Sequence, residues 1–175
     1  MPAPRKEIRA AAELRASGRR LVGHVARFDT EARIGTFTEV IKPGAFRASL
    51  ASGQDVLCLA DHDPARVLGR TRSGTLELRE DADGLAFELQ VPDTQTGRDL
   101  LALAERGDLG GCSFGFTVAE GGEHWEGDRR ELRAVNLAEV SIVQAWPAYQ
   151  STTVEARHRT TGRRDPRLAW LELFP

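Results

Sequence analysis

The chain has little of what marks several protein classes. Its 175 residues contain two cysteines, one methionine and one tyrosine, and no more than two of its 24 basic residues are lysines. Two cysteines are too few for a disulfide framework, so we expect Cys58 and Cys112 to be buried thiols. No apolar run approaches the roughly 18 residues of a membrane span, and the N-terminus has no apolar segment typical of a secretory signal. What is left is a globular chain of one-domain length.

Charge is unevenly distributed behind a net value of −2. Residues 1–20 carry six basic and two acidic side chains, residues 155–175 carry five and three, and residues 21–154 carry 13 and 21. An acidic body is unlike a nucleic-acid-binding surface, which clusters basic residues, so we expect no specific nucleic-acid partner. We predict a flexible basic arm over 1–20, one domain over 21–154, and an arginine-rich tail with a short helix over 155–175.

Most of the body follows the period-two pattern of short β-strands. The pattern begins at Leu21 and returns at 36–41, 55–60, 67–72, 75–79, 85–91, 112–118 and 132–143, and the three segments from 67 to 91 are predicted to form an antiparallel meander. Two helices are predicted, one over 43–50 and one capped by Thr96 and ended by Gly107. The pattern predicts a mainly β fold with a few helices (α+β), a small closed or partly closed antiparallel barrel decorated by helices.

The segment G-G-C-S-F-G-F-T-V, residues 110–118, offers a nucleophile. Alternation places Ser113 and Gly115 on one strand face and Cys112 on the other, which is apolar. The serine face is small and open, so an extended peptide could approach Ser113 over Gly115. The alternatives are an ordinary serine on a solvated face and a Cys112 nucleophile, although Cys112 points to the core.

Two further residues are candidates for acid–base chemistry. His62 follows an apolar run in D-H-D-P, where a side chain leaves the core, although an ordinary turn histidine fits the same position. Glu139 is the lone carboxylate of the strand N-L-A-E-V-S-I-V and shares a face with Ser141, opposite Ala138 and its core neighbours. Burying a carboxylate is costly without a partner, and an imidazolium is a suitable one. The alternative is an edge-strand glutamate in water. As a metal site D-H-D is weak, because no second histidine is spaced to join it.

The string G-C-S-F-G also satisfies G-x-S-x-G, the nucleophile elbow of α/β-hydrolases. An elbow needs a strand before the serine and a helix after it, and here the predicted order is reversed. It would also make His158, in the tail, the base. We therefore expect the match to be coincidental.

Five ordered segments resemble the prohead serine protease family of tailed bacteriophages, which is related in fold to the herpesvirus assemblins. They are G-H-V-A-R-F (23–28), E-V-I-K-P-G-A-F-R-A-S-L (39–50), L-A-D-H-D-P with V-L-G-R (59–70), A-E-R-G-D-L-G-G-C-S-F-G-F (104–116) and L-A-E-V-S-I-V (137–143). The resemblance runs from about Leu21 to Ala156. It implies an assemblin-like barrel and a serine endopeptidase with His62, Ser113 and Glu139 as catalytic triad; in assemblins a second histidine stands in place of the acid.

The resemblance also implies a biological setting. The substrate would be the scaffolding segment of the major capsid protein, and the protease would often process itself. It would act first in the host cytoplasm and then inside the procapsid, without a cofactor, a metal or a membrane. Because assemblins are active as dimers, we expect a homodimer. Two other functions stay open: an inactive barrel that acts as a capsid scaffold or interaction protein, and a G-x-S-x-G esterase.

Overall fold

The computed structural model describes residues 6–11 and 13–145, in which strands outnumber helices. The strands are β1 (Glu7–Ala11), β2 (Glu13–Ser17), β3 (Arg20–Arg27), β4 (Glu31–Ile34), β5 (Phe37–Ile41), β6 (Leu57–Ala60), β7 (Asp63–Arg70), β8 (Leu76–Glu80), β9 (Gly84–Gln90), β10 (Gly111–Val118), β11 (Glu123–Glu126), β12 (Arg129–Leu132) and β13 (Val135–Val143). The helices are α1 (Arg47–Ala51) and α2 (Gln95–Arg106). Strands make up 54% and helices 12%, which confirms the predicted mainly β, α+β class. The tail over 155–175 lies outside the described residues.

The strands form three sheets. The first has the order β1-β10-β13-β6-β7, the second β11-β12-β5-β4 and the third β2-β3-β9-β8. Most neighbours are antiparallel, but β12 with β5 and β13 with β6 are parallel. Over the described residues no closed barrel is found, so that part of the predicted fold is not confirmed. Periodicity reports which residues face a core, whereas strand direction and closure depend on partners far away in the chain.

Several predicted elements take a different form. The sequence predicts a meander over residues 67–91; β8 does pair with β9, but β7 belongs to the first sheet and pairs with β6. The long strand predicted over residues 132–143 is two strands, β12 and β13, in different sheets. The cap of α2 is Thr94, whose hydroxyl accepts the Gly97 N–H, and not Thr96. Gly107 ends α2 in the left-handed conformation at φ 75°, as predicted.

The basic N-terminal segment is folded where the sequence predicts a loose arm. Residues 7–11 form β1, antiparallel to β10, and residues 13–17 form β2, antiparallel to β3. For residues 7–11 and 13–17, the structure therefore has two paired strands in place of the predicted flexible arm. Alanine and glutamate have low strand propensity, so the local sequence does not predict these strands, which form where two sheet edges accept them. The division of the chain into domains stays a prediction.

One apolar core joins all three sheets and α2. Strand β10 supplies Cys112, Phe114 and Phe116, each no more than 1% exposed, as alternation predicts. The rings of Phe114 and Phe116 stack with their centroids 5.4 Å apart. Burying an aromatic side chain of this kind contributes about 2 kcal/mol or more, so β10 is one of the best-anchored strands. Neither helix of the described chain is long and apolar enough to cross a membrane.

A β-bulge in β13 sets which of its residues face the core. Gly115 lies opposite Glu139, but the next residue, Phe116, lies opposite Leu137, so Ala138 has no counterpart. Leu137 is fully buried and takes the core position that alternation assigns to Ala138. The prediction for Ala138 is wrong because strict alternation does not include a bulge, which inserts one residue into one strand. The bulge leaves Glu139 on the face that carries Ser113.

Candidate active site

His62 lies in a two-residue turn at the end of β6. Asp61 and His62 both have positive φ, 53° and 62°, which is uncommon for residues other than glycine and marks a conformation that the surroundings must enforce. The enforcement comes from β13. The Asp61 N–H donates to the Ile142 carbonyl over 3.0 Å, and its carboxylate accepts the Gln144 N–H over 2.8 Å. These contacts hold the turn that carries His62 against the end of β13.

Glu139 is the carboxylate that His62 contacts. His62 Nδ1 donates to Glu139 Oε1 over 2.8 Å, and the Ser141 hydroxyl donates to Oε2 over 2.7 Å. Glu139 is 3% exposed, so the partner that its burial requires is present, as the sequence predicts. Burial raises the pKa of Glu139, but the hydrogen bonds from His62, Ser141 and Lys6 outweigh it and lower the pKa to about 2. Glu139 is therefore ionised across the neutral range and holds the imidazole with a proton on Nδ1.

Ser113 lies on the same sheet face as this pair. It is the cross-strand partner of Ser141, and Gly115 is the partner of Glu139. One strand, β13, separates β10 from β6, at whose end His62 lies. The predicted open surface around Ser113 is wrong: Ser113 is 2% exposed because β1 covers the edge of β10. Its hydroxyl donates to the main-chain carbonyl of Arg9 in β1 over 2.7 Å.

Lys6 is a site residue that sequence reasoning missed. Its Nζ lies 3.0 Å from Glu139 Oε1, the oxygen that also accepts from His62. The side chain crosses Gly115: a Cβ built on that glycine would lie 2.2 Å from Lys6 Cε and 2.8 Å from Glu139 Oε1. The space predicted above Gly115 thus exists and is filled by Lys6. A lysine in a segment interpreted as a solvated arm gives no signal of this contact.

The thiols are unsuited to act as nucleophiles. Cys58 and Cys112 are fully buried. Burial, together with the charge of Glu139, raises the pKa of Cys58, and burial likewise raises that of Cys112. A neutral thiol directed into the core is a packing group, because the thiolate is the reactive form.

The elbow interpretation of G-C-S-F-G does not fit the fold. Ser113 is in the interior of β10, with α2 before it and the turn to β11 after it. A nucleophile elbow has the opposite order, with the serine at a strand-to-helix turn. His158, the base that this interpretation needs, lies outside the described residues.

One group in the described part of the chain has the spacing of metal ligands. Ligand atoms of His24, Asp81 and Asp83 lie within 4.8 Å of one another, on β3 and in the turn between β8 and β9. The turn itself accounts for much of this arrangement, because Asp81 accepts the main-chain N–H groups of Asp83 and Gly84 and contacts His24 Nε2 over 2.8 Å. His62 is not a member of this group.

The structure joins the imidazole of His62 to the carboxylate of Glu139, whereas the Ser113 hydroxyl on the same sheet face donates to the Arg9 carbonyl. A hydroxyl, an imidazole and a carboxylate are the types of group that serine hydrolases use. Among known families, the caudovirus prohead serine protease family matches residues 6–165. The chain belongs to this family, which confirms the resemblance seen in the sequence. Membership indicates a serine peptidase of capsid maturation, located within the procapsid in the host cell. No curated protein and no solved structure matches the chain.

Proposed function

We propose that the chain is a serine endopeptidase that cleaves the scaffolding segment of the major capsid protein, and itself, with His62, Ser113 and Glu139 as its catalytic triad. The observation that carries the proposal is the 2.8 Å hydrogen bond from His62 Nδ1 to the buried carboxylate of Glu139. A serine peptidase needs a base whose tautomer is fixed, and an ionised carboxylate on Nδ1 supplies this.

The reaction follows from the position of the proton. With Nδ1–H held by Glu139, Nε2 of His62 accepts the Ser113 proton as the Oγ attacks the scissile carbonyl. The imidazolium then returns the proton to the leaving amine, and water, activated by the same nitrogen, hydrolyses the acyl-serine ester. Throughout, the negative charge of Glu139 stabilises the imidazolium. Because β1 occupies the edge beside Ser113, cleavage of another chain requires β1 to leave that edge.

An inactive capsid-binding protein is the second candidate. The observation that favours it is the covered Ser113, whose hydroxyl is engaged by Arg9. The two functions differ in one measurable result, because an inactive protein leaves the capsid protein at full length. The homodimer expected from the resemblance stays a prediction, which sedimentation of the full chain would check.

Co-expression with the major capsid protein of the same virus tests the proposal. Intact-mass spectrometry should show N-terminal trimming with the wild-type chain and none with Ser113→Ala. Ser73→Ala is the matched control, because Ser73 is an exposed serine in the turn before β8. Trimming that persists with Ser113→Ala, or that is absent with the wild type, would contradict the peptidase.

A further inference from the structure

Strand β1 lies as an extended peptide lies when it adds a strand to a sheet edge. It is the outermost strand of its sheet and pairs antiparallel with β10, with Ala10 opposite Ser113. The carbonyl oxygen of Arg9 is 2.7 Å from the Ser113 hydroxyl. If β1 left, β10 would become the open edge of the sheet. A peptide bound there in the same register would place the carbonyl of the residue that replaces Arg9 next to Ser113.

The inward side chains of β1 enter a charged pocket built by the rest of the chain. Arg9 donates with two nitrogens to the two oxygens of Glu39 on β5, over 2.5 and 2.8 Å, and its guanidinium lies 5.3 Å from the Phe116 ring centroid. Glu7 accepts two hydrogen bonds from Arg130 on β12, over 2.7 and 2.8 Å. Arg9 also donates to Glu7 over 2.8 Å, so the two ionic side chains of β1 pair with each other as well as with Glu39 and Arg130.

Two of the ion pairs in the pocket do not involve β1. Arg130 also donates to Glu39 over 3.0 Å and to Glu123 over 2.6 Å. With β1 in place Glu39 is 2% exposed and Arg130 6%, so both charges are buried beneath that strand. If β1 left, Glu39 and Glu123 would share the single guanidinium of Arg130, and the pocket would carry an excess negative charge. The Glu39 carboxylate then lacks a cation of its own, and the Phe116 ring lies beside the site. The planar guanidinium of an arginine fits this site better than the point charge of a lysine, because it can donate to both carboxylate oxygens and stack on the ring.

We propose that the edge of β10 binds extended peptides that carry an acidic residue two positions before an arginine, and that Glu39 and Arg130 are the specificity-determining residues. Glu39 binds the arginine of the peptide and Arg130 binds its acidic residue. Strand β1 carries the same two residue types at the same spacing and competes for the site within the chain. On the basis of the proposed peptidase function, the cleaved bond lies directly after the arginine. Ser113 would form the acyl ester with the arginine carbonyl, His62 would protonate the departing amine, and water would release the arginine carboxylate.

Peptide binding to the full chain carrying Ser113→Ala tests the inference without any catalysis. The probe is a fluorescent peptide Lys-Glu-Ile-Arg-Ala-Ala, the sequence of residues 6–11, and the readout is anisotropy. A peptide with citrulline, which has the shape of arginine without its charge, should bind at least about tenfold more weakly, because Glu39 loses a charged partner. A lysine peptide should fall between the two.

Variants of the chain complete the test. Adding Arg9→Ala should tighten binding of the arginine peptide by about tenfold, because the competing strand loses its buried anchor. Arg15→Ala, an exposed arginine on β2, is the matched control and should change nothing. Glu39→Gln should reduce the preference for arginine over citrulline to about twofold or less.

Two results would overturn the inference: equal binding of the arginine and citrulline peptides, or no binding of either even after Arg9→Ala. Neither depends on how Glu39→Gln folds. If the capsid protein is trimmed in a Ser113-dependent manner but the peptides bind alike, the inference fails and the peptidase stands. If the peptides discriminate as expected but Ser113→Ala leaves trimming intact, the peptidase fails and the binding site stands.

Discussion

The ionised carboxylate of Glu139 should contribute measurably to the stability of the whole fold. Burial raises its pKa, but the hydrogen bonds of His62, Ser141 and Lys6 dominate, and the pKa drops from an ordinary 4.5 to about 2. A tenfold change in proton affinity is worth about 1.4 kcal/mol, so the charge stabilises the fold by about 3 kcal/mol at pH 7 relative to a neutral carboxyl. Glu139→Gln, which keeps the shape and removes the charge, should lose most of this.

The pH dependence gives the prediction its sign. Because the folded pKa is below the unfolded one, the stabilisation is complete above about pH 4.5 and is lost as the pH falls toward about 2. Urea unfolding of the wild type and of Glu139→Gln should therefore show a gap of about 3 kcal/mol at pH 7 that narrows toward zero in acid. Glu77→Gln is the matched control, because Glu77 is an exposed glutamate on β8 and should leave the stability unchanged.

The same variant separates stability from catalysis. An amide can turn its NH₂ group toward His62 Nδ1 and hold the wrong tautomer, so kcat should fall by about a thousandfold or more. Equal stability of wild type and variant at pH 7, or a gap that does not change with pH, would refute the electrostatic argument. A stability loss with full activity would leave Glu139 as a structural residue and remove it from the triad.

Three further substitutions address the turn, the core and the helix end. Asp61→Asn weakens the contact that holds the turn to the end of β13, so kcat/KM for a capsid-derived peptide should fall about tenfold. The NMR signals of the His62 ring should move at constant pH, and unchanged signals would exclude a positioning role. Cys112→Ala should cost about 2 kcal/mol in urea unfolding through lost packing yet keep peptide cleavage, and loss of cleavage in a folded variant would instead implicate the thiol. Gly107→Ala should cost about 1 kcal/mol in thermal unfolding, because φ 75° is strained for alanine.

The parts of the site that the sequence predicts are those in which local alternation is strong. In β10 the even-numbered positions from 112 to 116 are apolar, and the odd-numbered positions from 113 to 117 are small. Alternation along the strand alone therefore places Ser113 and Gly115 on the face opposite the core. In β13, Glu139 is a single carboxylate among apolar residues, and the cost of burying it indicates a partner before any partner is known. The hydrogen bond to His62 bears out that second argument.

The parts that the sequence does not predict depend on pairing between distant segments. The bulge at Ala138 lies in the pairing of β13 with β10, on the opposite side of β13 from β6. Lys6 reaches Glu139, 133 positions away in the numbering, and only the pairing of β1 with β10 brings them together. The turn at Asp61 gives a partial signal, because aspartate and histidine before Pro64 tolerate positive φ better than most residues do.

The N-terminal strand acts on stability and access to the site in opposite directions. It covers Ser113, completes the first sheet and places Arg9 on Glu39, so its presence stabilises the fold and its absence would open the edge of β10. An open edge with an under-neutralised carboxylate is a surface that favours pairing with another extended chain. The cost of releasing β1 is therefore offset only by a peptide that restores both the main-chain pairing and the charge on Glu39. Strand β1 therefore covers the site and also selects among peptides. A peptide that supplies the main-chain pairing without a charge for Glu39 is outcompeted by β1.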